Sequence, residues 1–90
     1  MRKEEKEELC SRMAALLHCV RRQMKLTQQQ LGEICGYSRI RISNIETGRE
    51  KLSWHQFMSI APLCLVNEAI RQTLEDEGVF TPEFYSYISL

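Results

Sequence analysis

Apolar residues recur at intervals of three and four along the first quarter of the chain. The stripe consists of Leu9, Met13, Leu16, Leu17, Val20 and Met24. In a helix with 3.6 residues per turn, these intervals bring the apolar side chains to one face. The pattern predicts one long amphipathic helix over residues 5–25.

A capping signature comes after this stripe and occurs four times. In each copy a Ser or Thr directly follows an apolar residue, and a second apolar residue lies four positions beyond the hydroxyl. The hydroxyl can accept a hydrogen bond from the free N–H groups at a helix start, and the apolar pair can pack as a hydrophobic staple. The four capping residues are Thr27, Ser38, Ser53 and Thr81. We therefore predict helices that begin at about residues 28, 39, 54 and 82.

The C-terminal third of the chain holds one further helix signal. Asn67 can cap a helix that carries Ile70 and Leu74, and Gly78 can end it. The one candidate for strand alternation, "FYSYISL", follows the helix start at Thr81, which argues against a strand. The sequence predicts an all-α fold of five or six helices in one compact domain.

Helices 28–35 and 39–47 are separated by only three residues. So short a link forces a sharp crossing, and Gly36 can end the first helix in the left-handed conformation. Gly32 is unfavourable inside a helix, which indicates that the second helix approaches closely at that point. The expected apolar seam between the two helices consists of Leu31, Ile34, Cys35, Tyr37, Ile42 and Ile45.

The second of these helices has an outer face suited to base edges. At 100° per residue, Ile42 and Ile45 face the core and the opposite side is left with guanidinium, amide and hydroxyl groups. Arg can bind guanine, Asn can bind adenine, and an exposed Ile can contact a thymine methyl group. An ordinary solvated helix surface is the alternative interpretation. The outer face consists of Arg39, Ile40, Ser43, Asn44 and Thr47, and the helix places no carboxylate on it.

Charge is balanced over the whole chain but unevenly distributed. The 90 residues carry 12 basic and 12 acidic side chains. Residues 21–51 hold seven basic and three acidic side chains, whereas residues 52–90 hold one basic and five acidic. A basic middle segment is typical of a nucleic-acid-binding surface, although chance clustering on a solvated surface would look the same.

Four cysteines leave disulfides, zinc ligation and packing as possible roles. They have no C-x-x-C spacing, and the two histidines add no ligand pair, so we expect buried or half-buried thiols with no metal or other cofactor. No apolar run approaches the roughly 20 residues of a membrane span, and the charged N-terminus is not a secretory signal. We expect a cytoplasmic protein with no membrane partner.

The segment "KLTQQQLGEICGYSRIRISNIETGREKLSWHQFMSIA" resembles the lambda-repressor-like helix-turn-helix family of Cro/repressor (XRE) type. Its Leu-Thr-Gln start, Gly36, Ser38 and Gly48 fall where that family places its caps and turns. The resemblance implies a DNA-binding domain over residues 1–74, with a helix-turn-helix at 28–47 whose second helix enters the major groove.

The resemblance also implies roles for individual residues. Base-reading positions correspond to Arg39, Ile40 and Asn44, with Arg41, Ser43 and Thr47 as neighbours. Contacts to the DNA backbone correspond to Gln28, Arg49, Lys51 and Arg21. Arg21 and Glu46 match a pair that often joins the first and third helices of the family. Two positions depart from the family pattern: Pro62 is expected to interrupt the helix that begins at Trp54, and Leu65 replaces a common Gly.

Residues 75–90 lie beyond the family's core and form a C-terminal extension. This segment is unusually aromatic, and it can serve as a dimer or partner contact or cover the protein's own core. The residues assigned to the dimer or partner contact are Phe80, Phe84, Tyr85, Tyr87 and Ile88.

The function expected from these features is a DNA-binding transcriptional regulator. The resemblance implies a homodimer that binds a palindromic operator on double-stranded DNA and represses transcription. A protein-interaction module, such as an antitoxin or an enzyme inhibitor, is the alternative. An enzyme is not expected, because the sequence offers no nucleophile–base pair, phosphate loop or carboxylate dyad.

Overall fold

Six helices form the part of the chain that the computed structural model describes, residues 1–89. They are α1 (Lys3–Gln23), α2 (Gln28–Cys35), α3 (Arg39–Glu46), α4 (Trp54–Leu65), α5 (Glu68–Asp76) and α6 (Pro82–Ile88). No strand occurs within these 89 residues. The predicted all-α class and the helix count are confirmed. None of the described helices is both long and apolar enough to cross a membrane.

Side-chain caps set the helix starts where the sequence predicts them. Thr27 accepts a hydrogen bond from the Gln30 amide at 3.0 Å, and the Gln30 side chain accepts one from the Thr27 amide at 2.8 Å. Ser53 and Gln56 form the same reciprocal capping box. The end of α1 was predicted less well: it stops at Gln23, because Lys25 adopts a left-handed backbone with φ of 58°.

Pro62 does not interrupt α4, and this prediction is wrong. The helix continues through Pro62 to Leu65. Proline cannot donate a hydrogen bond to the carbonyl one turn earlier. The neighbouring side chains Ala61 and Cys64 are fully buried, and we attribute the continuation of the helix to their burial against the core.

The C-terminal extension is part of the core. Val79, Phe80 and Phe84 are buried, and the Phe84 ring packs edge-on against Phe57 of α4 with centroids 5.4 Å apart. The assignment of Phe80 and Phe84 to a dimer or partner contact is therefore wrong, because the apolar face of α4 needs a cover and these rings supply it. Only the other three assigned residues reach the surface: Tyr85, Tyr87 and Ile88.

The seam between α2 and α3 is smaller than predicted. Leu31, Ile42 and Ile45 are fully buried in it, and Cys35 and Tyr37 are half-buried. Ile34 is 47% exposed, so its assignment to the seam is wrong. We attribute this to the shortness of α2, whose eight residues offer one inner face that Leu31 and its neighbours already fill.

Gly32 is required by a close backbone approach, as its position in mid-helix indicates. The carbonyl of Tyr37, in the turn after α2, lies where a Cβ at residue 32 would be, and the Ile42 side chain lies behind it. The approaching group is thus mainly the turn, and only secondarily the second helix.

We expect Gly32→Ala to lower the free energy of unfolding by roughly 1–3 kcal/mol, because overpacking against backbone outweighs the better helix propensity of Ala. Urea denaturation followed by circular dichroism measures the change. Gln29→Ala, at an exposed position of the same helix, is the control and should stay within about 0.5 kcal/mol of the wild type. A Gly32→Ala protein as stable as that control would contradict the steric argument.

The cysteines are free thiols in three different environments. Cys10 and Cys64 are buried and Cys35 is half-buried, whereas Cys19 is exposed, contrary to our expectation. Burial raises the pKa of Cys64 to about 12, and burial together with Glu7 raises the pKa of Cys10 to about 11. These two thiols therefore stay protonated at neutral pH and act as small apolar side chains. Over residues 1–89, no three His, Cys, Asp or Glu side chains are grouped so that they could hold a metal ion.

Candidate nucleic-acid interface

Helix α3 is anchored on one side and open on the other. Ile42 and Ile45 are each 1% exposed and fix the rotation of the helix, while Ile40 on the opposite side is 63% exposed. The predicted base-reading residues surround Ile40. Those at exposed positions are Arg39, Arg41 and Thr47, and those at half-buried positions are Ser43 and Asn44. All six are thus at least partly open to solvent, and we call the surface that they form around Ile40 the α3 face.

The starts of α2 and α3 carry no acidic side chain in their first turns. The partial positive charge of each helix N-terminus therefore remains uncompensated by a carboxylate, which favours an anion such as a phosphate nearby. By contrast, α1, α5 and α6 each begin with at least one Glu in the first turn. The N-termini of α2, α3 and α4 are therefore the helix starts at which no carboxylate offsets the positive end of the helix dipole.

A buried carboxylate joins three helices beneath the α3 face. Glu46 has a 3% exposed side chain, and Arg21 of α1 donates to it through Nε at 2.6 Å and Nη2 at 3.2 Å. Gln28 at the start of α2 donates through Nε2 at 3.0 Å. Burial alone would raise the pKa of Glu46, but the hydrogen bonds and the charge of Arg21 outweigh it and lower that pKa below its ordinary value. The predicted Arg21–Glu46 pair is present.

Two predicted DNA-backbone contacts are affected by this cluster. Arg21 is 8% exposed, and its Nη1 donates to the Leu26 carbonyl at 2.9 Å, so its guanidinium joins the helices. Its contact with the DNA backbone stays a prediction. Gln28 is half-buried and has one amide N–H left for a phosphate after its bond to Glu46.

His18 belongs to the same cluster and was missed in the sequence. Its Nδ1 lies 3.2 Å from Nη2 of Arg21 and 3.3 Å from Oε1 of Glu46. The only sequence signal was its position three residues before Arg21, which places the two side chains next to each other on a helix. That spacing alone does not indicate a contact with Glu46, which is 28 residues away.

Glu50 is the second residue that the sequence did not reveal, and it changes the description of the α3 face. Its carboxylate accepts from Nε of Arg41 at 3.1 Å and from Nδ2 of Asn44 at 3.3 Å. The chain turns back after α3 at Gly48, whose φ is 80°, and this turn brings Glu50 beside residues six and nine positions earlier. Helix α3 has no carboxylate of its own on this face, but the loop supplies one.

The same loop presents two basic side chains. Arg49 and Lys51 flank Glu50 and are exposed. Within residues 1–89, neither of them nor Arg39 pairs with a carboxylate. Three unpaired cations thus border the α3 face, and cations of this kind bind phosphate oxygens in protein–DNA complexes.

Comparison with known proteins assigns the chain to a family. A family model described as a helix-turn-helix domain matches residues 12–74, which is well over half of the chain. The match ends at Leu74. No curated protein and no solved structure matches the chain. The chain belongs to the helix-turn-helix domain family.

Proposed function

We propose that the protein is a sequence-specific DNA-binding regulator of the Cro/repressor type. The observation that carries the proposal is the α3 face: it is fixed by two fully buried isoleucines, open to solvent around Ile40, and bordered by three unpaired cations. Membership of the helix-turn-helix domain family supports DNA as the ligand. The resemblance of residues 25–61 to the Cro/repressor (XRE) type supports this finer family assignment.

Helix α3 would lie in the major groove with its N-terminal part toward the bases. In this position Arg39 would bind guanine through two donors, Asn44 would bind adenine, and Ile40 would contact a thymine methyl group. Ser43, Thr47 and Arg41 would lie beside them. The residues that would contact phosphates are Gln28, Arg49 and Lys51.

We further propose a homodimer on a palindromic operator. One recognition helix reads too few base pairs for high affinity, and two-fold symmetry doubles the number of contacts. The surface residues Tyr85, Tyr87 and Ile88 of the extension are the candidate dimer contacts, since the other aromatic residues of this segment are buried. Repression would then result from a dimer that occupies DNA needed by RNA polymerase.

Selection from a randomised duplex library at about physiological salt tests this function. We expect recovery of a palindrome with half-sites about one helical turn, or 10 base pairs, apart. A single unrepeated half-site would contradict the dimer but not DNA reading. Recovery of no sequence above background would overturn the proposed function.

We expect Asn44→Ala to reduce the affinity for the selected duplex by about 1–3 kcal/mol and to relax selection at one base position in each half-site. Lys51→Ala is the matched comparison, because it removes a phosphate contact. It should weaken all duplexes alike and reduce the slope of affinity against salt concentration. Equal losses on every duplex for Asn44→Ala would show that this side chain reads no base.

A protein-interaction module remains the second candidate, and the charge distribution favours it. Residues 52–90 carry five acidic side chains and one basic side chain, and Val66 at the α4–α5 turn is an apolar residue that is 87% exposed. Both features suit a protein surface better than DNA. If the library yields nothing, an antitoxin or an enzyme inhibitor built on this fold becomes the favoured function.

A further inference from the structure

A carboxylate on a DNA-facing surface repels phosphates and so weakens DNA binding. Glu50 lies on the border of the α3 face between Arg49 and Lys51. Its carboxylate accepts hydrogen bonds from two side chains of α3, Arg41 and Asn44. Both of these were assigned to base reading or its immediate surroundings. The contact therefore acts directly on the groups that would read DNA.

The contact with Asn44 determines which way the amide points. A carboxylate only accepts hydrogen bonds, so the NH₂ group of Asn44 must face Oε1 of Glu50, as it does at 3.3 Å. The reversed amide would place two oxygens against each other. With one N–H bonded to Glu50, the second N–H and Oδ1 remain free. These are the donor and acceptor that a bidentate contact with adenine requires.

The contact with Arg41 restrains a second side chain. Its guanidinium lies over the Tyr37 ring, 4.6 Å from the centroid, while Nε donates to Oε2 of Glu50 at 3.1 Å. Arg41 is thus held by an aromatic face from the turn before α3 and by a carboxylate from the loop after it. The two loops and the helix between them form one connected unit around the amide of Asn44.

We infer that Glu50 is a positioning residue for base discrimination: it orients the Asn44 amide toward the base and holds Arg41 beside it. This inference rests on the proposed DNA-binding function. The negative charge of Glu50 lowers affinity for DNA of any sequence, while the fixed amide preserves preference for one base. Glu50 therefore increases specificity at the expense of overall affinity.

The test compares wild type with Glu50→Gln, which keeps the side-chain length but removes the charge and can present either face of its own amide to Asn44. Fluorescence anisotropy would measure binding to three duplexes at one salt concentration: the selected operator, a random duplex, and the operator changed at the base that Asn44→Ala relaxes. We expect tighter binding of the random duplex. We also expect the discrimination between operator and changed operator to fall by about fivefold to tenfold.

Glu83→Gln is the matched control, since it removes an exposed carboxylate from α6, outside the α3 face. Its discrimination should stay within about twofold of the wild type. In the absence of DNA, the side-chain amide resonances of Asn44 should shift in Glu50→Gln but not in Glu83→Gln, while the backbone resonances of α3 stay in place. This readout separates the loss of the contact from unfolding.

Each outcome decides one of the two proposals. If the wild type selects an operator and Glu50→Gln keeps full discrimination, the inference about Glu50 is overturned and the proposed function stands. If Glu50→Gln changes operator and random duplex by the same factor, Glu50 acts only through its charge and the inference is likewise overturned. If the wild type selects no sequence, the proposed function fails and the role of Glu50 in base discrimination fails with it.

Discussion

Replacing Phe84 by Ala is expected to lower the free energy of unfolding by about 3–5 kcal/mol. The ring is fully buried and stacks on Phe80, with centroids 5.1 Å apart, while its edge meets Phe57 and Trp54. The expected loss combines the transfer free energy of the ring with a cavity that the surrounding aromatic rings cannot close. Urea denaturation followed by circular dichroism measures it.

Two further variants keep this prediction testable if Phe84→Ala fails to fold. Phe84→Leu leaves most of the volume filled and should cost less, about 1–2 kcal/mol. Ser86→Ala is the surface control: Ser86 is exposed on the same helix, and the expected change is within about 0.5 kcal/mol. A loss for both Phe84 variants as small as that of Ser86→Ala would show that the extension is only loosely attached to the domain.

This role of the extension has a consequence for any experiment on assembly. Removal of residues 79–90 would take Val79, Phe80 and Phe84 out of the core, so a truncated chain would lose stability before it revealed anything about a dimer. Substitution of a surface residue such as Tyr87 is the sharper test of a dimer contact. The family match ends at Leu74, yet the folded unit extends beyond it.

The sequence predicts the helices well because their signals are local. A Thr27–Gln30 or Ser53–Gln56 capping box depends on four consecutive residues, and both boxes form as expected. Gly32 also indicates its own environment, because only a close approach explains a glycine at that position. Signals of this kind need no knowledge of where distant segments lie.

The failed predictions involve residues whose roles are set by distant partners. Pro62 remains inside a helix because Ala61 and Cys64 beside it are buried against the core. Phe84 is buried because it packs on the apolar face of α4, at Phe57. Glu50 reaches the α3 face only after the chain turns back at Gly48. Helical periodicity describes one helix at a time, so it could not show a carboxylate arriving from a loop.

The hydrogen-bonded cluster around Glu46 both stabilises the fold and fixes the position of α3. This residue sits at the end of α3 and receives hydrogen bonds from α1 and from the start of α2. The cluster therefore fixes how the α3 face is presented and where the N-terminus of α2 lies. Under the proposed function, loss of the cluster would reduce DNA binding by displacing the α3 face, although none of the groups that bond Glu46 needs to contact a base.

Arg21→Met is expected to lower the free energy of unfolding by about 3 kcal/mol at pH 7, because it leaves the buried carboxylate of Glu46 without its cation. We place the loss at the lower end of the usual range, since Gln28 and His18 still bond Glu46. Denaturant unfolding at several pH values measures it. Arg2→Met is the control, because Arg2 pairs with Glu5 at an exposed site and should cost no more than about 0.5 kcal/mol.

The loss caused by Arg21→Met should depend on pH in a definite direction. In the wild type the pKa of Glu46 is lowered, so its stabilising contribution is complete above its ordinary value of 4.5 and disappears as the pH falls through the folded-state pKa. In Arg21→Met, burial without the cation favours the protonated carboxyl, which needs no positive partner. The difference between the two proteins should therefore shrink as the pH falls below about 5 and through the lowered pKa of Glu46, while other carboxylates titrate alike in both and cancel. A difference that stays constant over this range would show that Arg21 stabilises the fold through packing of its side chain, and that its charge on Glu46 contributes little.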